Sequence, residues 1–130
     1  MKEIEKKVKN FLEERAWDRL RPGDLAKSVA IEAGELLELF QWENPELGDV
    51  RNDPEKLEKI KKELADVLLY CIDMAVLLDL DTEKLITEKL EYISKKYPAE
   101  LMRKHAERGA GSGNDPEYWR IKNEYRRKAL

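Results

Sequence analysis

Residues 53–80 read DPEKLEKIKKELADVLLYCIDMAVLLDL, and their pattern decides the fold. Asp53-Pro54-Glu55 is a helix start. It supplies a side-chain oxygen to cap the first free N–H groups, a proline preset for the first turn, and an acid at the positive end of the helix dipole. The helix then has nothing to stop it before about Leu80. Its stretch Leu64–Cys71 is apolar on nearly every side, which places it at the centre of a helical assembly with Cys71 in the core. Working outward, Ile4, Val8, Phe11 and Leu12 give residues 3–15 a helical period. Arg21-Pro22-Gly23-Asp24 breaks the chain, and Asp24 is the expected cap of a second helix over Leu25–Gln41. Asn44 to Asn52 reads as a connecting loop. Asp81-Thr82-Glu83 opens a fourth helix that ends near Tyr97-Pro98. No stretch alternates with a period of two, so the expected fold is an all-α, antiparallel four-helix-type bundle over residues 1–106. Residues 107–114, rich in glycine, are the expected flexible linker. Asp115-Pro116-Glu117 repeats the start signal, and residues 115–130 form an additional C-terminal helix for packing on its own or a partner subunit.

A chain of 130 residues supports one core and one domain. The 25 basic and 28 acidic residues leave a net charge of −3, which argues against a binder of polymeric nucleic acid. A few local cations or a metal can still hold a nucleotide's phosphates. A single cysteine excludes a disulfide framework and an all-cysteine zinc site. No apolar run has the length of a membrane span, and MKEIEKKVKNFLEER lacks the core of a secretion signal. The expected location is therefore the cytoplasm.

The informative residues are acids in apolar company. With 28 acids, about six acidic pairs spaced i, i+3 arise by chance, so position on the helix is the better test. At about 100° per residue, Leu25, Leu36 and Leu39 fall within about 40° of Glu32, with Glu35 at the margin of that arc. Glu38 falls on the polar side. Around Glu63, the residues Val67, Tyr70 and Met74 fall within about 40°, and Asp66 sits one turn on. A carboxylate buried without a partner is heavily penalised. Salt bridges would satisfy any one of these acids, but antiparallel packing brings all four together. Cations must then balance them, and an all-oxygen ligand set favours Mg²⁺, or Mn²⁺, over zinc. Asp73 projects near Asp66 and is either a further site acid or a salt-bridge partner. A di-iron bundle needs Glu-x-x-His pairs, whereas the one histidine, His105, has no such partner and reads as exposed.

Mg²⁺ in such a site commonly completes its shell with substrate phosphates and activates water. The chemistry indicated is hydrolysis of a phosphoanhydride. No P-loop is present, because Gly109–Gly113 lacks the Lys-Ser/Thr that must follow. Trp17 and Trp42 are aromatic enough to stack on a nucleobase, or to anchor packing. Lys89, Lys95 and Lys96 are the candidate phosphate contacts. The alternative is a helical interaction protein, without turnover, whose acids are structural.

Trp17-Asp18, Pro22, Leu25, Ser28 and the run Ile31–Trp42 (IEAGELLELFQW) resemble the MazG-like all-α nucleotide pyrophosphohydrolases, in their dCTP pyrophosphatase-like branch. Glu63–Tyr70 (ELADVLLY) resembles the family's second metal motif, and Lys89 with Lys95-Lys96-Tyr97-Pro98 its third segment. The resemblance spans about residues 8–102. It implies Mg²⁺-dependent hydrolysis of a nucleoside triphosphate to the monophosphate and pyrophosphate, in nucleotide-pool sanitation. It makes Glu32, Glu35, Glu63 and Asp66 the catalytic metal ligands, and puts Trp17, Trp42, Tyr70 and Lys89 near the nucleotide. It also implies a homodimer or dimer of dimers. The segment between Trp17 and Pro22 is one residue shorter than in that branch and lacks its histidine, so the base is left open. Ile93 stands where the family often has asparagine, and residues 103–130 have no counterpart.

Overall fold

The computed structural model describes residues 1–107 and 115–129. Among them are seven helices and no strand: α1 (Lys2–Glu14), α2 (Pro22–Glu38), α3 (Leu47–Arg51), α4 (Pro54–Leu77), α5 (Thr82–Lys96), α6 (Ala99–Glu107) and α7 (Pro116–Lys128). The all-α expectation holds. The glycine-rich segment expected as a linker lies outside the described residues at 108–114. The chain divides into two compact units, Met1–Thr82 and Glu83–Leu130.

In the first unit α4 is the hub, touching α1, α2 and α3. Its start is the one expected: the Asp53 carboxylate accepts from the Lys56 backbone N–H at 3.1 Å, and Pro54 opens the helix. The start of α2 differs. Pro22 takes its first position with Arg21 as the residue before it, so Asp24 sits in the first turn and does not cap. A proline's fixed φ nucleates at its own position, two residues ahead of the acid. The expected loop over 44–52 contains the short α3, held against α4. Val8 and Leu12 of α1, Leu25 of α2 and Ala75 of α4 form the buried apolar centre. Thr82 N–H donates to the Glu5 carboxylate at 2.8 Å, and this hydrogen bonding holds the Glu5 carboxyl below its ordinary value.

Cys71 corrects the sequence reading, for it is exposed. So are Leu64 and Leu68, which precede it at helical spacing on α4. The stretch Leu64–Cys71 is apolar on nearly every side, as its sequence says, but its own unit covers only some of those sides.

Both α1 and α4 end in the same way. Ala16 N–H donates to Glu13 C=O and Trp17 N–H to Leu12 C=O, with Ala16 at φ 56°. Asp79 and Leu80 repeat these bonds to Val76 and Ala75, with Asp79 at φ 54°. These are Schellman closures, normally built with glycine in the left-handed position. Alanine there carries a Cβ penalty of about 1–2 kcal/mol, partly offset by its stiffer unfolded chain. Ala16→Gly is therefore expected to stabilise the protein by about 0.5–1 kcal/mol in urea unfolding; a loss of stability would show the closure to be unstrained.

In the second unit, Asp115 caps α7 by accepting from Glu117 N–H at 2.9 Å. Ile121 is buried, and Tyr118 of α7 stacks on Tyr97 with centroids 5.1 Å apart. Tyr125 meets Tyr92 edge-on. The C-terminal helix thus packs on α6 of its own chain. His105 is half-buried, with Nδ1 3.8 Å from the Asp115 carboxylate, which corrects its expected exposure.

Candidate metal centre

The α2·α4 contact is the most extensive in the first unit, and it places the two acidic pairs face to face. Glu32 lies on α2, and Glu63 and Asp66 lie one turn apart on α4. Each offers a carboxylate oxygen, and these oxygens all lie within 4.8 Å of one another. All three residues are half-buried, and Glu63 Oε2 is fully buried with no hydrogen-bond partner. Among the described residues no lysine or arginine pairs with any of the three. Individual clamping by salt bridges is therefore not how the cluster is satisfied.

Electrostatics follow from this crowding. Desolvation raises the Glu32 carboxyl above its ordinary value, and the charges of Glu35, Asp66 and Glu63 add to the rise. Glu63 is raised for the same reasons, with desolvation and then Glu35 the largest causes, and neighbouring Lys62 offsets only part. Glu35 is itself exposed, beside the three-oxygen set and against both Glu32 and Glu63.

The donor set fits a hard divalent cation. Oxygens bonded at about 2.0–2.1 Å to one octahedral ion stand about 3–4 Å apart, so small side-chain movements close the observed span. An orphaned buried carboxylate oxygen has the polarity such an ion would complement.

A cavity of about 350 Å³ opens between α1, α2 and α4, lined by Phe11, Trp17, Leu25, Tyr70 and Asp73 among others, and by none of the clustered acids. The α1 closure delivers Trp17 to this wall, where it meets Phe11 edge-on at 5.9 Å between centroids. Asp73, a salt-bridge candidate by sequence, is 6% exposed and, among the described residues, has no cation partner; its Oδ1 is buried without any hydrogen bond among them. Trp42 is 89% exposed after the end of α2, and Glu38 is exposed on that helix. Lys89, in the second unit, stands over the Tyr92 ring at 5.1 Å, Lys96 over Tyr97 at 5.3 Å, and Lys95 is exposed. Sequence reasoning undervalued Asp73. The signal was present in its projection beside Asp66, but no sequence rule distinguishes an ion-paired acid from an orphaned one.

Comparison with known proteins gives consistent matches. The family model described as MazG-like matches residues 27–109. The chain is 31% identical over 105 residues to dCTP pyrophosphatase 1 of Rattus norvegicus and of Homo sapiens, covering 79% of this chain. It spans 62% of the length of these curated relatives. A crystal structure of a pyrophosphatase from Archaeoglobus fulgidus superposes with a TM-score of 0.65 at 29% identity, covering 75% of this chain and 92% of that one.

Proposed function

Because the chain belongs to the MazG-like family, we propose that it is a nucleoside triphosphate pyrophosphohydrolase working with Mg²⁺, or Mn²⁺ in its place. The observation that carries this reading is the set of three unneutralised carboxylate oxygens of Glu32, Glu63 and Asp66 within 4.8 Å of one another. The relatives' names, dCTP pyrophosphatase 1 and pyrophosphatase, point the same way. Water adds to the α-phosphorus, the bond from that phosphorus to the bridging oxygen breaks, and pyrophosphate leaves with the electron pair; one proton is released.

Glu32, Glu63 and Asp66 hold the divalent cation, which when bound neutralises phosphate charge and acidifies water. Glu35, exposed beside them, orients the attacking water and accepts its proton. Trp17 and Tyr70 form the wall against which the base rests. Lys89 and Trp42 are assigned to the nucleotide on the family pattern. The protein's contribution is placement and charge, since the transferred group asks for little covalent help.

The site of action assigned is the cytoplasmic nucleotide pool; no described helix is long and apolar enough to cross a membrane. Leu64, Leu68 and Cys71 leave one face of α4 uncovered, and Leu37 of α2 is 70% exposed. Such apolar surface supports a homodimer or dimer of dimers, which light scattering after size exclusion would reveal as a mass of two or four chains.

The decisive experiment incubates the protein with Mg²⁺ and a panel of ribo- and deoxynucleoside triphosphates. Equal amounts of monophosphate and pyrophosphate are expected. Silence across the whole panel overturns the reading.

A further inference from the structure

Resting on that reading, we propose that Asp73 selects the substrate's base by hydrogen-bonding an amidine edge, an exocyclic amine beside an unprotonated ring nitrogen, as cytosine and adenine present. Asp73 faces the cavity that Trp17, Phe11 and Tyr70 line. It stands seven residues, or about 10 Å of helix, from Asp66, so the cavity lies along α4 from the metal centre at about the reach of a nucleoside. Trp17 is half exposed at the wall, and an indole face there suits stacking on a planar ring.

Among the polar groups lining this cavity, one carboxylate oxygen is buried without a partner among the described residues. Ser28 Oγ donates to Asp24 C=O at 3.1 Å, and the Asp24 carboxylate lies 3.9 Å from Lys27 Nζ. Asp73 has no such partner, and Oδ1 is sealed from solvent. Burial pushes its carboxyl upward, toward the protonated form. Among the described residues no lysine or arginine lines the cavity. A neutral ligand with a donor must therefore complete it. An amidine edge offers an amine to donate and a basic ring nitrogen to share the carboxyl's proton, so the pair becomes charge-assisted whichever atom holds it. An imide edge, as in uracil or hypoxanthine, has no basic nitrogen to take the carboxyl's proton, so its pair gains no charge assistance, and against the ionised carboxyl it sets a carbonyl oxygen.

The test measures kcat/KM with CTP, ATP, UTP and ITP for the unmodified protein, Asp73→Asn and Asp73→Ala. CTP over UTP, or ATP over ITP, is expected to differ at least tenfold, and whichever pair does so identifies the ring size accepted. Asp73→Asn, whose amide serves either edge, should bring that ratio within about threefold, as should Asp73→Ala. Equilibrium dialysis of CMP, AMP, UMP and IMP without divalent cation should show the same preference and the same loss, independent of turnover. Asparagine keeps the side-chain shape, so the preference can be read even where alanine unfolds the chain. A ratio near one in the unmodified protein, or one untouched by both variants, overturns the assignment. Turnover without preference defeats this inference alone, whereas absence of turnover with selective dialysis defeats only the activity.

Discussion

Glu63→Gln is expected to lower pyrophosphate release on the order of 10³-fold while raising the melting temperature of metal-free protein. The substitution keeps shape and removes one charge from a cluster in which Glu63 Oε2 already lacks a partner. Loss of a well-placed charged group at a phosphoryl site typically costs 10²–10³ in rate, and a metal ligand lies at the upper end. The stability gain has the opposite sign because no described lysine or arginine pairs with Glu32, Glu63 or Asp66, and Lys62 offsets only part of the crowding at Glu63. Single-turnover assays and thermal melts in EDTA measure the two effects on one sample. Unchanged turnover would remove Glu63 from the site; lower stability in EDTA would show its charge to be paired.

A second large effect concerns divalent ions and pH together. At a Mg²⁺ concentration about 100 times its Kd, the folded state should gain about 2.7 kcal/mol, raising Tm on the order of 10 °C in a chain this size. Without the ion, pH should matter in a direction unusual for carboxylates. Glu32 and Glu63 have folded values above their unfolded ones. Their contribution is complete below the unfolded carboxylate range and is lost as pH rises through the raised folded values. Glu5, Glu117 and Glu124 are lowered, by hydrogen bonding to Thr82, Arg120 and Lys128 respectively, so their stabilisation is lost only as pH falls below the ordinary range. The windows therefore separate. In EDTA the melting temperature should fall as pH rises above the ordinary carboxylate range, and both Mg²⁺ and Glu63→Gln should flatten that slope. A curve that rises there would contradict the crowding of the cluster.

Much of the helical order was legible because its causes are local. Asp53-Pro54 and Asp115-Pro116 carry both halves of a start signal within two residues, and both caps form where expected. Asp24 misled because Pro22 starts α2 by itself, ahead of the acid. The short α3 carries too few residues to show a period. Cys71 misled for a different reason: helical periodicity says that a face is apolar, not what covers it.

From sequence alone came the all-α class, the α4 hub and four acids set in apolar company. Each follows from spacing along one helix, and the α-helix converts spacing into direction. Only the tertiary structure could bring Glu32 across to Glu63 and Asp66, set Glu35 beside them, and leave Asp73 buried with no cation partner among the described residues. Those facts depend on the register between α2 and α4 and on which side chains a neighbouring helix fails to supply. Both are set by packing between segments distant in sequence, and no intrahelical rule encodes them.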